Sequence, residues 1–281
     1  MESLNMWLRK GVFKYITLLL VAGGLQADIT ITQLANEGAI ISDGETRVMI
    51  DGMVVEPYSV YGGLPAAAAA MFSAASGPWS GIDLALASHR HHDHNQPRFA
   101  CRFMQASPDT IFVSSPQVLG LMREKCRKLV TTDPRFREIL PQYDQPEIIE
   151  LGGAHVTVFL LSHGTRKYAR IQNFGHLIRI GGMTVLHLGD AAMSPADFER
   201  AGLHEVKVDV VMIPFWYFQP GPGADLVKKY LNAPVKLAVH IPPGEMEEVS
   251  AYLAEAYPAV LVPEKPLQEI RFSSDALQAP P

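Results

Sequence analysis

Residues 88–94 read S-H-R-H-H-D-H, which places four of the chain's ten histidines within six positions. The apolar run Ile82–Ser88 leads into them, so they stand at the end of a predicted strand, where loops collect functional groups. His89 and His91 are two residues apart and point the same way in extended backbone. Asp93 and His94 reach a neighbouring point as the chain bends toward a helix. Imidazole and carboxylate suit Zn²⁺, Fe²⁺ or Mn²⁺. The stretch therefore offers two half-sites, one of paired histidines and one of Asp plus His.

Neither half-site is complete, and three residues at other strand ends can supply the rest. His163 follows the predicted strand Ala154–Leu161, and Asp190 ends the stretch L-H-L-G-D after Met183–Leu188. His240 closes the apolar run beginning at Val235 and precedes Ile241-Pro242-Pro243. His155, His176 and His204 fall outside this pattern, and His92 and His187 sit beside candidate ligands.

The surrounding pattern is that of an α/β chain. Ile29–Leu34, Ala39–Ser42 and Arg47–Ile50 read as strands, with the turn dipeptide Asp43-Gly44 between the last two. Helices are predicted at Ala66–Ala75, Pro97–Gln105, Pro116–Val130, Pro134–Leu140, Pro195–Ala201, Ala224–Leu231 and Glu245–Ala256. Further strands are predicted at Glu147–Leu151, Phe174–Ile180 and Asp209–Ile213, and a short pair at Val260–Val262 and Gln268–Phe272 closes the chain. Strands in two similar groups, interleaved with helices and free of linkers or repeats, imply two packed sheets with helices outside.

The order H-x-H-x-D-H, a lone His, G-D and a final His after a strand resembles the metallo-β-lactamase superfamily of hydrolases across residues 28–281. The stretch A-N-E-G-A-I-I-S-D-G-E-T-R-V-M-I-D-G, residues 35–52, is similar to that superfamily's opening hairpin. L-H-L-G-D and K-L-A-V-H look closest to the branch of ascorbate-phosphate lactonases and N-acyl-phosphatidylethanolamine phospholipases. The resemblance implies an αββα sandwich of two mixed β-sheets packed face to face, helices on the outer faces. It implies one metal ion on His89, His91 and His163 and a second on Asp93, His94 and His240. Asp190 would bridge the two, and Asp51 would orient a ligating histidine.

A hydrolase follows from such a site. Two divalent ions, Zn or alternatively Mn or Fe, lower the pKa of a bridging water toward ~7, and the resulting hydroxide attacks a small ester, lactone or phosphodiester. Asp93, beside the bridging position, would carry the proton to the leaving group. β-Lactam hydrolysis is an alternative, although true β-lactamases generally lack the bridging Asp; a non-catalytic metal-binding module is another. Phe215-Trp216-Tyr217-Phe218, before the turn Q-P-G-P-G, offers Trp216 and Tyr217 as an apolar pocket wall or as loop packing. Arg166, Lys167 and Arg170 are a solvated face or an anion-binding group.

Composition narrows the partners. With 48% hydrophobic and 19% charged residues the chain is ordinary globular protein. The balance of 24 basic and 29 acidic residues, net −5, with no dense Lys/Arg run, argues against a nucleic-acid partner and for a small-molecule substrate. Arg9, Lys10 and Lys14 precede the 11 apolar residues Tyr15–Leu25, and Ala27 follows. That layout predicts a signal peptide over 1–27, export to the periplasm or medium, and no stable membrane span after processing. An uncleaved N-terminal anchor is the alternative, although a spanning helix needs ~20 apolar residues. The two cysteines, Cys101 and Cys126, either pair or stay as free thiols.

Overall fold

The computed structural model describes residues 28–273, so the expected signal segment lies outside the described residues. Along the chain come β1 (Asp28–Gln33), β2 (Ala39–Ser42), β3 (Arg47–Ile50), α1 (Ala66–Ser73), β4 (Leu84–Leu86), α2 (Pro97–Ala106), β5 (Ile111–Ser114), α3 (Pro116–Thr132) and β6 (Phe136–Glu138). The second half contains β7 (Glu147–Leu151), β8 (Ala154–Ser162), β9 (Gln172–Ile180), β10 (Met183–His187), α4 (Pro195–Arg200), β11 (Val210–Pro214), α5 (Pro222–Tyr230), β12 (Val235–Val239), α6 (Met246–Ala256), β13 (Val260–Leu261) and β14 (Glu269–Ser273). They form two seven-stranded sheets, ordered β14-β1-β2-β3-β4-β5-β6 and β13-β12-β11-β10-β9-β8-β7. Each sheet is antiparallel on one side and parallel on the other.

Period-two alternation explains why the sheets stack. Ile41, Val48 and Ile50 point inward with Leu84 and Leu86, against Val156, Val158, Ile178, Val185, Val210 and Met212 of the other sheet. Their neighbours Ile40, Met49 and Ala85 point outward, where Phe72 of α1, Phe103 of α2 and Leu119 of α3 cover them. On the opposite outer face Leu177, Leu186, Val211 and Ile213 lie under Phe198 of α4, Leu226 of α5 and Leu253 of α6. Each such buried side chain contributes ~1.5–3 kcal/mol. The arrangement is the αββα sandwich the sequence pattern predicts.

Two local expectations change and one open alternative is decided. Residues 134–140, read as a helix, hold β6 at the sheet edge. There Asp133 ends α3 and takes the backbone N–H and guanidinium of Arg135, and β5 offers an open parallel edge. β5 has only four residues, too few to show alternation in the sequence. β13 and β14 do not pair with each other, because the stretch from Pro263 to Pro266 carries the chain from one sheet to the other. Cys101 and Cys126 are joined in a disulfide that ties α2 to α3, with Cα atoms 6.2 Å apart.

Candidate metal centre

Strand direction gathers the site. β3 and β4 run parallel and deliver Asp51 and the loop from Ser88 to His94 at one end of their sheet. In the other sheet β8, β10 and β12 share one direction, and their C-terminal ends lead into His163, Asp190 and His240. Backbone bonds lock these loops together. Gly164 N–H donates to the Asp190 carbonyl at 2.9 Å, Ala192 N–H to that of Ser162 at 2.6 Å, and Phe174 N–H to that of Ser88 at 3.0 Å. Gly189 occupies the left-handed region at φ 55°, and a Cβ there would come within 2.5 Å of Asn173 Oδ1 and 2.7 Å of Ser88 Cβ. Only glycine fits before Asp190.

All seven histidine and aspartate residues singled out from the sequence converge. His89 Nε2, His91 Nδ1 and His163 Nε2 lie 3.0, 3.1 and 3.2 Å from one another. His94 Nε2 and His240 Nε2 are 3.1 Å apart, and Asp93 Oδ2 lies 3.7 and 3.4 Å from them. Asp190 stands between the sets. Its Oδ2 is 3.4 Å from His163 and 3.7 Å from His89, while its Oδ1 is 3.4 Å from both His94 and His240. His94 and His89 are wholly buried, Asp93, His163 and His240 are buried, and His91 and Asp190 are partly exposed.

These donors fit divalent cations. Metal–nitrogen bonds of ~2.0–2.1 Å in a tetrahedral site put ligand atoms ~3.3 Å apart, close to the separations within each set. Burial, followed by the charge of His94, holds His89 well below the usual imidazole range. Burial and His163 lower His91 to about 4. Neutral rings then turn lone pairs on one another, an arrangement that a shared cation satisfies. The tautomers agree with this. Ser88 Oγ donates to Asp51 Oδ2 at 2.5 Å and so accepts at His89 Nδ1, 3.0 Å away, leaving His89 Nε2 free toward the centre.

The second set is electrostatically different. Burial lowers the basicity of His94, but Asp190, Glu37 and Asp51 outweigh it and raise the ring well above its ordinary value. His240 is likewise raised, by Asp190 and Asp93 against burial. Burial pushes Asp190 up, but His94, His240 and His163 hold it well below the carboxylate range. Asp93 is lowered against burial by His240 and His94. Asp51 sits behind His94, with Oδ2 at 2.9 Å from its Nδ1 and Oδ1 accepting the Ser88 N–H at 2.6 Å. Asp51 and His240 both have positive φ, 45° and 64°, conformations that cost ~1–3 kcal/mol in a residue with a side chain. Such strain persists where the surroundings enforce it.

The cavity beside the centre, about 560 Å³, is lined by Tyr58, Tyr61, Tyr168 and Trp216 together with His91, Asp93, His163 and Asp190. Trp216 packs edge-on to His240 at 4.8 Å, as expected of a wall residue. Tyr217 is fully buried instead, its hydroxyl donating to the Ala191 and Ala192 carbonyls at 2.8 and 3.2 Å. It braces the Asp190 loop from behind, because the 3₁₀ turn over Phe215–Phe218 sends successive side chains in different directions. Arg166, Lys167 and Arg170 are exposed and do not line the cavity.

Sequence reasoning missed Tyr61 and Tyr168, and it missed Glu37. Tyr61 stacks edge-on to His240 at 4.6 Å; burial, then Asp93 and Asp190, push its phenol up to about 12. Tyr168 packs against His91 and His163 at 5.5 and 5.1 Å. Of the two histidines beside ligands, His92 is exposed on Tyr58, while His187 is buried with Nε2 3.4 Å from Glu37. The only signal for Glu37 was its place in the opening hairpin.

Comparison with known proteins agrees with the geometry. The domain model described as "Beta-lactamase superfamily domain" matches residues 30–217. A possible metal-dependent hydrolase from Veillonella parvula is similar in structure at 16% identity, TM-score 0.60, covering 86% of this chain and 98% of that one. The metallo-beta-lactamase fold protein YhfI from Bacillus subtilis gives 15%, TM-score 0.59, 87% and 100%. An isothiocyanate hydrolase from Delia radicum gut bacteria gives 15%, TM-score 0.58, 87% and 100%. A search of curated protein sequences finds no match. The fold is therefore that of these proteins, and the chain belongs to the β-lactamase superfamily.

Proposed function

We propose that the protein is a metal-dependent hydrolase that holds two divalent cations, one on His89, His91 and His163, the other on Asp93, His94 and His240. The observation that carries this reading is Asp190, whose two oxygens face the two sets separately. When bound, a pair of divalent ions supplies a water of lowered pKa and polarises the oxygen of the scissile bond. The chain does the rest. Asp190 and the five histidines set the spacing of the centre, and Asp51 fixes the ring of His94. Asp93 Oδ2, facing both the cavity and His240, is placed to take a proton and pass it to the leaving group. Tyr61, protonated at neutral pH, offers a hydrogen-bond donor at the cavity wall.

The substrate is a small molecule with an uncharged reacting bond and an apolar or aromatic portion, an ester or lactone ahead of a phosphodiester. Three tyrosines and Trp216 form the wall, and among the described residues no Lys or Arg lines it. The anion of a phosphodiester or a β-lactam would find no Lys or Arg in this wall and would be met by the two cations alone. The disulfide favours an oxidising compartment and so supports export, which N-terminal sequencing of the processed protein checks against a start near Asp28.

The test is elemental analysis of the purified protein beside His91→Ala and Asp190→Ala, followed by a panel of chromogenic esters, lactones, phosphodiesters and β-lactams. Two equivalents, reduced in both variants, with ester or lactone turnover that Asp93→Ala abolishes, is the expected result. It also identifies the metal as Zn, Mn or Fe. One equivalent or none, unchanged in the variants, sinks the binuclear reading, and two equivalents without any turnover point to a non-catalytic metal-binding module.

A further inference from the structure

Glu37 lies in the tight turn between β1 and β2, with 1% of its surface exposed, and neither carboxyl oxygen has a hydrogen-bond partner. A buried, unbonded carboxyl costs free energy on the scale of several hydrogen bonds, so something nearby must compensate it. Its Oε1 has two imidazole nitrogens near it, His94 Nδ1 at 3.3 Å and His187 Nε2 at 3.4 Å. An oxygen of Glu37 also lies within 4.8 Å of the donor atoms of Asp190 and His240.

The ring protons can be placed by their partners. His187 Nδ1 accepts the Gly189 N–H at 3.2 Å, so Nε2 is the nitrogen that carries a proton, and it lies 3.4 Å from Glu37 Oε1 without an aligned hydrogen bond. His94 Nδ1 faces Asp51 and Glu37, two acceptors, so it too carries a proton, and its Nε2 lone pair is turned toward Asp93, Asp190 and His240. The contacts therefore run from Gly189, the residue before Asp190, through His187 and Glu37 to His94. The turn is held in place for this. Gly38, next to Glu37, leaves no room for a Cβ, which would lie 2.4 Å from the Asp51 carbonyl oxygen. Asn36 Nδ2 donates to the Asp93 carbonyl at 3.2 Å.

We propose that Glu37, with His187 behind it, is a positioning residue for the second cation: it sets the ring of His94 and ties the β1–β2 turn to the loop carrying Asp190. This rests on the binuclear reading above. Glu37 acts through His94, as carboxylates behind metal-bound histidines do, and changes of that kind cost about 10–100-fold in metal affinity. The first set has no counterpart among the described residues, since behind His89 stands the hydroxyl of Ser88.

The test uses metal-loaded full-length protein, titrated with a chelator while both equivalents are counted, for wild type, Glu37→Gln, His187→Gln and the double variant. Thermal unfolding of the metal-free forms is followed in parallel. Glu37→Gln is expected to lose the second equivalent at chelator concentrations about 10–100-fold lower, with the first unchanged. The loss of cation retention should exceed anything that the change in metal-free melting temperature accounts for. A merely structural glutamate would instead lower the melting temperature and leave cation retention alone. His187→Gln should give a smaller loss in the same direction, and the double variant no more than Glu37→Gln alone, because the two act as one unit. Two equivalents in wild type, released from Glu37→Gln as from wild type, overturn the role of Glu37 while leaving the binuclear reading intact. Fewer than two in wild type overturn both.

Discussion

The two halves of the candidate metal centre share one loop, yet they are built differently. His89, His91 and His163 form a set of imidazoles whose one carboxylate is the shared Asp190, and burial holds His89 and His91 neutral. Asp93, His94 and His240 form a set crowded with acid, where Asp190, Asp51 and Glu37 press protons onto His94. In the proposed centre the first set takes its cation with His89 and His91 already neutral, whereas the second releases protons to take one. The two sets thus differ electrostatically, partly through their own donors, since Asp93 belongs only to the second, and partly through the carboxylates Asp51 and Glu37 that stand behind His94.

The strongest way to break this comparison is to remove one ligand from each set. His163→Ala is expected to abolish binding at the first set and His240→Ala at the second, each variant retaining about one equivalent by elemental analysis. Turnover in both should fall by orders of magnitude, because the substrate oxygen and the attacking water need both cations. Loss of both equivalents in either single variant would show that the two sets fold as one unit and that the contrast drawn here is false.

The next effect is on pH. Because His94 and His240 are raised, protons compete with the second cation at and below neutral pH, and its affinity should fall steeply as pH falls. His91 sits at about 4 and His89 is lowered as well, so protons compete little at those two rings, and the first cation should lose less affinity than the second over the same fall in pH. Isothermal titration at several pH values in buffers of different ionisation enthalpy counts the protons released. Equal proton release by the two sites would end the distinction.

How much of this was legible in the chain follows from the range of each interaction. The loop from His89 to His94 was legible because both half-sites are local in sequence, and Asp190 and His240 because each ends an apolar strand. Glu37 was not, because a glutamate in a turn reads as solvated until the fold places it beneath His94. The strand at Phe136–Glu138 was hidden in the same way, since a short charged segment becomes a strand only when β5 offers an edge. Trp216 and Tyr217 were indistinguishable as neighbours, and only the turn geometry sends one to the cavity and the other behind it. The cysteines could not be paired without knowing that α2 and α3 lie side by side.

Acid sensitivity of the fold itself must be separated from that of the site. His176 is buried on the inner face of β9, neither ring nitrogen has a partner, and burial lowers it from 6.5 to about 3. The unfolded chain binds a proton there below about pH 6.5 while the folded protein does not until about pH 3. Stability is therefore lost as pH falls through that window, by about 2 kcal/mol at pH 5. His176→Leu should remove this dependence in denaturant melts at pH 5 and 8, leaving cation release as the remaining acid response. An unchanged difference between the two pH values would mean that His176 is not the residue responsible.

The smallest effect expected is on the cavity walls, and it asks whether the two sets also divide the substrate between them. Tyr168 packs against the first set, through His91 and His163, and Trp216 against the second, through His240. An aromatic contact is worth ~0.5–1.5 kcal/mol beyond the area it buries, so Tyr168→Leu and Trp216→Leu should each raise KM by about 2–12-fold. Neither touches the attacking water in the proposed reaction, so kcat should hold within about twofold. If the acyl group lies over one set and the leaving group over the other, a substrate series varied at one end will respond to one variant and not the other. A fall in kcat instead, with KM unchanged, would place these rings in support of the histidines rather than in contact with substrate.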